Sequence, residues 1–266
     1  MACVIAFANQ KGGVGKSTLS VQLAYYLRLK LGKRVLMIDM DAQGNSSKTL
    51  LELKDGERIA EKLLSSTSDY LFDKDATDIT IQGTPRGIDL IGSDQSASGY
   101  DVERYDLATV LLPKKNLRKR IKEYDYVIID CPPGLGVRLV GSLVMADYVV
   151  CPVKLSGYFT DSLSGLFTTI KDLQGGPNRR LKVLGIAINE YKETAPQRET
   201  LLKANEEFAQ LPMSVKVFKS MVRSRSPIDV ATRGKPIFEV RGGQRATEEL
   251  QALFEEILAE IRAAES

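Results

Sequence analysis

The 266-residue chain contains no histidine. That absence removes Ser-His-Asp and Cys-His triads and the usual zinc sites, so any chemistry must use carboxylates, lysines and a bound metal. Cysteine is scarce: Cys3, Cys131 and Cys151 are odd in number, widely spaced, and each lies in or beside a strand-like run. They read as buried free thiols in a reducing compartment, not as a disulfide set or a metal site. No apolar run approaches the roughly 20 residues of a membrane span, and the N-terminus enters a strand without a basic-then-apolar leader pattern. A soluble, cytoplasmic protein is expected. Low-complexity tracts and internal repeats are also missing, and strand and helix patterns alternate without a linker-like break, so residues 1–266 are expected to form a single domain. The formal net charge of +3 is too small to establish nucleic-acid binding, although a local patch can still matter.

What is present is one stretch near the start, Asn9-Gln10-Lys11-Gly12-Gly13-Val14-Gly15-Lys16-Ser17-Thr18, set between the apolar run Val4-Ile5-Ala6-Phe7 and a helical pattern of Leu19, Leu23 and Leu27. Strand, glycine-rich loop and helix form the context a phosphate-binding loop needs. Glycines let successive N–H groups turn around an anion, and the helix beginning near Lys16 adds positive potential at its N-terminus. Lys16 would reach the β- and γ-phosphates and the Ser17 hydroxyl would bind Mg²⁺. The pattern G-x-x-x-x-G-K-[ST] asks for glycine where this chain has Gln10, and Lys11 adds a second lysine. One cation suffices to hold a phosphate from below, so the second is expected to point elsewhere.

Two apolar strands end in carboxylates, Val35 to Asp39 and Tyr126 to Asp130. Parallel strands present their C-terminal ends at the rim where the phosphate loop lies, which brings Asp39 and Asp41 near the γ-phosphate. An isolated Asp-x-Asp also suits a helix cap or a turn. Asp130 would hold a water of the Mg²⁺ shell, and the following loop, residues 131–136, would sense the γ-phosphate through its prolines and glycines. The strand from Leu181 ends at Asn189, whose amide suits either a purine edge or an ordinary turn.

Elsewhere, a helix is expected around Ile59, Ala60, Leu63 and Leu64, then a polar stretch with Asp69, Asp73, Asp75 and Asp78 that lacks calcium-loop spacing and reads as solvated surface. Lys114, Lys115, Arg118, Lys119, Arg120 and Lys122 crowd a predicted helix, as a solvated face or a nucleic-acid contact. The last helix carries one apolar stripe through Leu250, Leu253, Phe254, Ile257, Leu258 and Ile261. Its other face is rich in glutamate, which an anionic membrane would repel, so it is expected to pack on the sheet.

Asn-Gln-Lys-Gly-Gly-Val-Gly-Lys-Ser resembles the deviant Walker A motif of the ParA/MinD ATPases, in the form common among ParA proteins of DNA segregation. Asp39 to Asn45 resembles that family's switch segment, with Ala42 in place of a frequent proline. Asp130-Cys131-Pro132-Pro133 matches its Asp-x-Pro-Pro pattern, and the three ordered motifs extend the resemblance over nearly the whole chain. The resemblance implies an α/β fold, a mostly parallel twisted sheet with helices on both faces, and ATP and Mg²⁺ as cofactors. It implies a homodimer closed by ATP, in which Lys11 reaches the partner's nucleotide while Asp41 orients the attacking water. Lys11, Lys16 and Asp41 are then the catalytic set. Gly12, Gly13, Val14, Gly15, Ser17 and Thr18 complete the phosphate loop, Asn189 reads adenine, and Ser17, Asp39 and Asp130 surround the metal. Lys203, Lys216, Lys219, Arg223 and Arg225 would hold DNA by its backbone, without sequence preference. Hydrolysis would be slow alone and stimulated by a ParB-type adaptor, moving plasmid or chromosome cargo over the nucleoid. The chain begins at its first motif, so no separate N-terminal DNA-binding domain is expected. A MinD-like membrane-cycling or protein-cargo positioning ATPase shares the site but needs a different track.

Overall fold

Short runs of β-branched and apolar residues make the strands. In the computed structural model, which describes residues 2–94, 106–155 and 160–265, they are β1 (Cys3–Phe7), β2 (Val35–Asp39), β3 (Gln82–Gly83), β4 (Asp89–Ile91), β5 (Tyr126–Asp130), β6 (Tyr148–Val153) and β7 (Lys182–Ile188). One sheet holds them in the order β3-β4-β2-β5-β1-β6-β7. All neighbours pair in parallel except β3, which is antiparallel to β4. A parallel sheet is covered on both faces, which is why β2 and β6 are apolar almost throughout and buried at every position.

The helices are α1 (Lys16–Tyr25), continued by a π-helical turn over Tyr26–Lys30, α2 (Asn45–Leu50), α3 (Ile59–Lys62), α4 (Leu107–Leu117), α5 (Val137–Met145), α6 (Asp161–Gly175), α7 (Ala195–Ala209), α8 (Ser226–Ala231) and α9 (Gln244–Glu265). Alternate residues of β1 divide between two cores. Ile5 and Phe7 pack with α1 and α9, whereas Val4 and Ala6 pack with α4, α5 and α6. The predicted α9 stripe from Leu250 to Ile261 is buried at all six positions. The expected α/β architecture is therefore the one observed.

Two local expectations change. The helix predicted around 59–64 is the single turn α3, and Leu64 is exposed. Gln82 explains its end: its Nε2 donates to the Lys62 carbonyl and its Oε1 accepts from Leu64 N, holding the chain extended. The polar stretch read as solvated surface is partly core, with Leu71, Phe72 and Ile79 buried and Asn116 Nδ2 donating to the Leu71 and Asp73 carbonyls. The basic segment 216–222 runs along β7 as an irregular edge, with Ile186 N donating to Lys216 O and Val222 N to Ile188 O. All three cysteines are free, with Cys131 and Cys151 buried and Cys3 half-buried. Among the described residues no helix is long and apolar enough to cross a membrane.

The register gathers the chemistry. Phe7 and Asp39 both stand opposite Asp130, so the ends of β1, β2 and β5 meet at one rim.

Candidate functional site: the phosphate loop and its carboxylates

Asn9 opens the loop from a buried position, where its Nδ2 donates to the Pro152 carbonyl of β6 at 2.7 Å and its Oδ1 accepts from Lys11 N at 2.9 Å. Gly15 caps α1 in the left-handed region at φ 92°, and its carbonyl takes Leu19 N. The loop N–H groups and the α1 N-terminus thus form one anion-attracting end. Lys16 is almost fully buried, and its Nζ donates to the Lys11 carbonyl at 3.0 Å. Burial lowers its pKa below the ordinary lysine value, against the raising effect of Asp130, Cys131 and Asp41. A desolvated ammonium held by a carbonyl gains strongly from an arriving phosphate.

Asp130 is fully buried. Its Oδ2 accepts Ser46 Oγ at 2.6 Å and the Ser17 hydroxyl works to lower its pKa, while Oδ1 is buried without a hydrogen-bond partner. Asp39, equally buried, has both oxygens committed: Oδ2 accepts Ser47 N at 2.8 Å and Ser47 Oγ at 2.7 Å, and Oδ1 accepts Asp41 N at 3.1 Å. Burial raises both carboxyl pKa values, and the Asp130 charge raises that of Asp39 further. This is an acceptor-rich site in want of a cation. The orphaned, buried Oδ1 of Asp130 fits Mg²⁺, a hard cation that takes few protein oxygens and completes its shell elsewhere. Asp39, expected near the metal, has oxygens that anchor the turn carrying Asp41.

A cleft of about 360 Å³ opens on the loop, lined by Gly12, Gly13, Gly15, Lys16, Ser17 and Thr18 together with Asp41, Asn45, Pro133, Glu190 and Thr232. Asp41 is half-buried, and its Oδ1 accepts Gln43 N at 2.9 Å. Lys11 is half-buried, with its backbone N and O spent on Asn9 and Lys16. Val14 packs inward, and its carbonyl accepts Asn189 Nδ2 at 3.0 Å. Asn189 thus braces the loop through its amide donor.

That brace fits only glycine at position 15. A Cβ there would lie 2.0 Å from Asn189 Nδ2, at a φ that side chains rarely adopt. Gly15→Ala is expected to destabilise the fold by about 1–3 kcal/mol and to abolish measurable ATP binding. Thermal melting and nucleotide titration check the two effects.

Sequence reasoning missed Ser46 and Ser47: Ser46 bonds Asp130, 84 residues away on β5, and Ser47 bonds Asp39 and Ser93 across a turn that no residue pattern marks. It also missed Glu190, which adopts φ 51° at the cleft and pairs with Lys154 at 2.5 Å. An acid after a strand-ending asparagine gives no sequence signal of that.

The predicted DNA contacts do not form a free cationic patch. Lys203 pairs with Glu199, Lys216 with Glu260 and Glu256, Arg223 with Glu193 and Glu249, and Arg225 with Glu249. Lys219 alone of the five makes no ion pair among the described residues, and its backbone N donates to Glu256. The acidic face of α9 supplies much of this neutralisation. On α4 and beyond, Lys115, Arg118 and Lys119 line an open cleft with Ala76 and Thr77, and none has a carboxylate within ion-pair distance among the described residues.

The family model described as "AAA domain" matches residues 2–183. The chain is 31% identical over 262 residues to the sporulation initiation inhibitor protein Soj of Bacillus subtilis (strain 168), covering 97% of this chain and 99% of that one. It is 30% identical over 274 residues to the chromosome-partitioning ATPase Soj of Thermus thermophilus, covering 98% and 97%. Among solved structures it is similar to a cobyrinic acid a,c-diamide synthase from Mycobacterium smegmatis with bound ADP and magnesium, at a TM-score of 0.70 and 28% identity, covering 88% of this chain and 91% of that one.

Proposed function

The chain belongs to the ParA/MinD-type P-loop ATPases, with ATP and Mg²⁺ as its cofactors, and from that premise we propose that it is a nucleotide-switched DNA carrier of the ParA kind. The observation that supports this most is the convergence of Lys16, Ser17 and Asp41 on one phosphate-loop cleft, with the buried Asp130 near enough to act on Lys16. On ATP binding, Lys16 exchanges the Lys11 carbonyl for phosphate oxygens. Ser17 and Asp130 would hold Mg²⁺, which neutralises charge on the β- and γ-phosphates. Asp41 orients water at the γ-phosphorus. The bond to the β–γ bridging oxygen breaks, and ADP and inorganic phosphate leave.

In this reading residues 1–266 act as one domain that pairs with a second copy when ATP is bound, each Lys11 reaching the partner's phosphates. The dimer holds DNA by its backbone, a ParB-like adaptor on plasmid or chromosome cargo stimulates hydrolysis, and DNA is released. The protein would sit on the nucleoid. Phosphate release from ATP, followed with and without DNA and adaptor, tests the enzyme. Turnover without any carboxylic acid or amide donor separates this reading from amide synthesis.

The paired state of Arg223 and Arg225 bears on where DNA lies. A cation already held by Glu249 must exchange a carboxylate for a phosphate, whereas Lys115, Arg118 and Lys119 need no exchange. We therefore assign the main phosphate contacts to these three cations at the end of α4 and just beyond it. Replacing these three by glutamine is expected to weaken binding in the ATP state and to lower the slope of log affinity against log salt by about 2–3. Arg223→Gln with Arg225→Gln should do less. The reverse ranking returns the interface to the surface of residues 203–225.

A further inference from the structure

We propose that Ser47 is a positioning residue for hydrolysis: its hydroxyl ties the Asp39 carboxylate to the segment after β4 and so fixes where Asp41 stands. This rests on the reading of Asp41 as the group that orients water.

Asp41 leaves β2 for the turn that leads to α2, and its backbone N donates to Asp39 Oδ1 at 3.1 Å. The other oxygen, Oδ2, receives both the backbone N and the hydroxyl of Ser47. The same hydroxyl oxygen accepts Ser93 N at 3.0 Å. It therefore donates once and accepts once, and Asp39, Ser47 and Ser93 are all fully buried. A buried hydroxyl used in both senses is fixed in orientation, and it transmits that fixation to its partners.

Two further contacts anchor the far end. Gly44, at φ 63°, passes so near the segment after β4 that a Cβ would lie 2.6 Å from the Ser93 carbonyl oxygen. Arg138 Nη2 donates to Ser93 Oγ at 2.9 Å and to Ser68 Oγ at 2.6 Å. Arg138 lies in the first turn of α5, just after the loop expected to sense the γ-phosphate. One hydrogen-bonded path thus runs from α5 through Ser93, Ser47 and Asp39 to the backbone of Asp41. The Asp41 carboxylate accepts only a turn bond, from Gln43 N, among the described residues. Its placement is inherited from that path. Ser46 makes the equivalent contact on the metal side, to Asp130.

The test compares Ser47→Ala, Ser47→Thr and Asp41→Ala in steady-state ATP hydrolysis, with ATP affinity and melting measured on each. Ser47→Ala is expected to lower kcat by about 10- to 100-fold while KM and ATP affinity stay within about 2-fold. Ser47→Thr, which keeps the hydroxyl, should restore kcat to within about 3-fold of wild type on the same grounds. If Asp41→Ala is inactive but Ser47→Ala turns over normally, the Asp41 reading stands and this proposal falls. Wild-type turnover by Asp41→Ala removes both. Loss of ATP affinity in parallel with kcat, or no rescue by threonine, assigns Ser47 to general loop stability and also overturns it. Should Ser47→Ala fail to melt cooperatively, Ser47→Cys is read by the same criteria.

Discussion

Asp41→Ala is expected to lower kcat by about 10²- to 10⁴-fold, the usual worth of a positioned acid–base group, while ATP binding is retained. The expectation follows from position. Asp41 lines the cleft with Lys16 and Ser17, yet it holds neither the phosphate loop nor Asp130 together. Its loss removes an orienting group and leaves the binding surface intact. Single-turnover hydrolysis and ATP titration on the same preparation check it. Equal turnover with and without the carboxylate would mean that another group orients the water, and Glu190 is the next acid at that cleft.

Lys11→Ala is expected to have the larger effect still, because a cation delivered across an interface to a phosphoryl group in transfer is worth about 10³- to 10⁵-fold. Within one subunit the Lys11 backbone is engaged by Asn9 and Lys16. The loop geometry therefore rests on main-chain atoms that alanine also has. The variant should bind ATP as a monomer, fail to dimerise, and hydrolyse at a residual rate. Light scattering with a non-hydrolysable ATP analogue, beside turnover, measures both. ATP-dependent dimerisation at wild-type strength would place the lysine's role within its own subunit.

The parts of this molecule legible from sequence are those whose signal is local. β2 and β5 announce themselves as apolar runs ending in Asp39 and Asp130, and the phosphate loop by its glycines between a strand and a helix. α9 was equally plain, since its stripe records one face. What stayed hidden depends on partners far along the chain. Asn189 at a strand end fits a turn, a base or a brace, and its bond to the Val14 carbonyl, 175 residues away, leaves no local signal. Asp130 likewise gave no sign of Ser46, which lies 84 residues away in the chain. The run from Lys203 to Arg225 looked cationic because the glutamates that neutralise it lie largely on α9. Leu71 and Phe72 sat among aspartates, and their burial follows from packing against α4 and α5, which no local pattern conveys.

Binding to random-sequence duplex DNA, measured with no nucleotide, ADP, ATP and a non-hydrolysable ATP analogue across a salt series, tests a nucleotide-switched DNA carrier most directly. Tight, salt-sensitive binding confined to the triphosphate states is the predicted result. Binding that is absent in every state, or equal in all of them, while ATP-dependent dimerisation remains intact, would contradict it and point to a membrane or protein track.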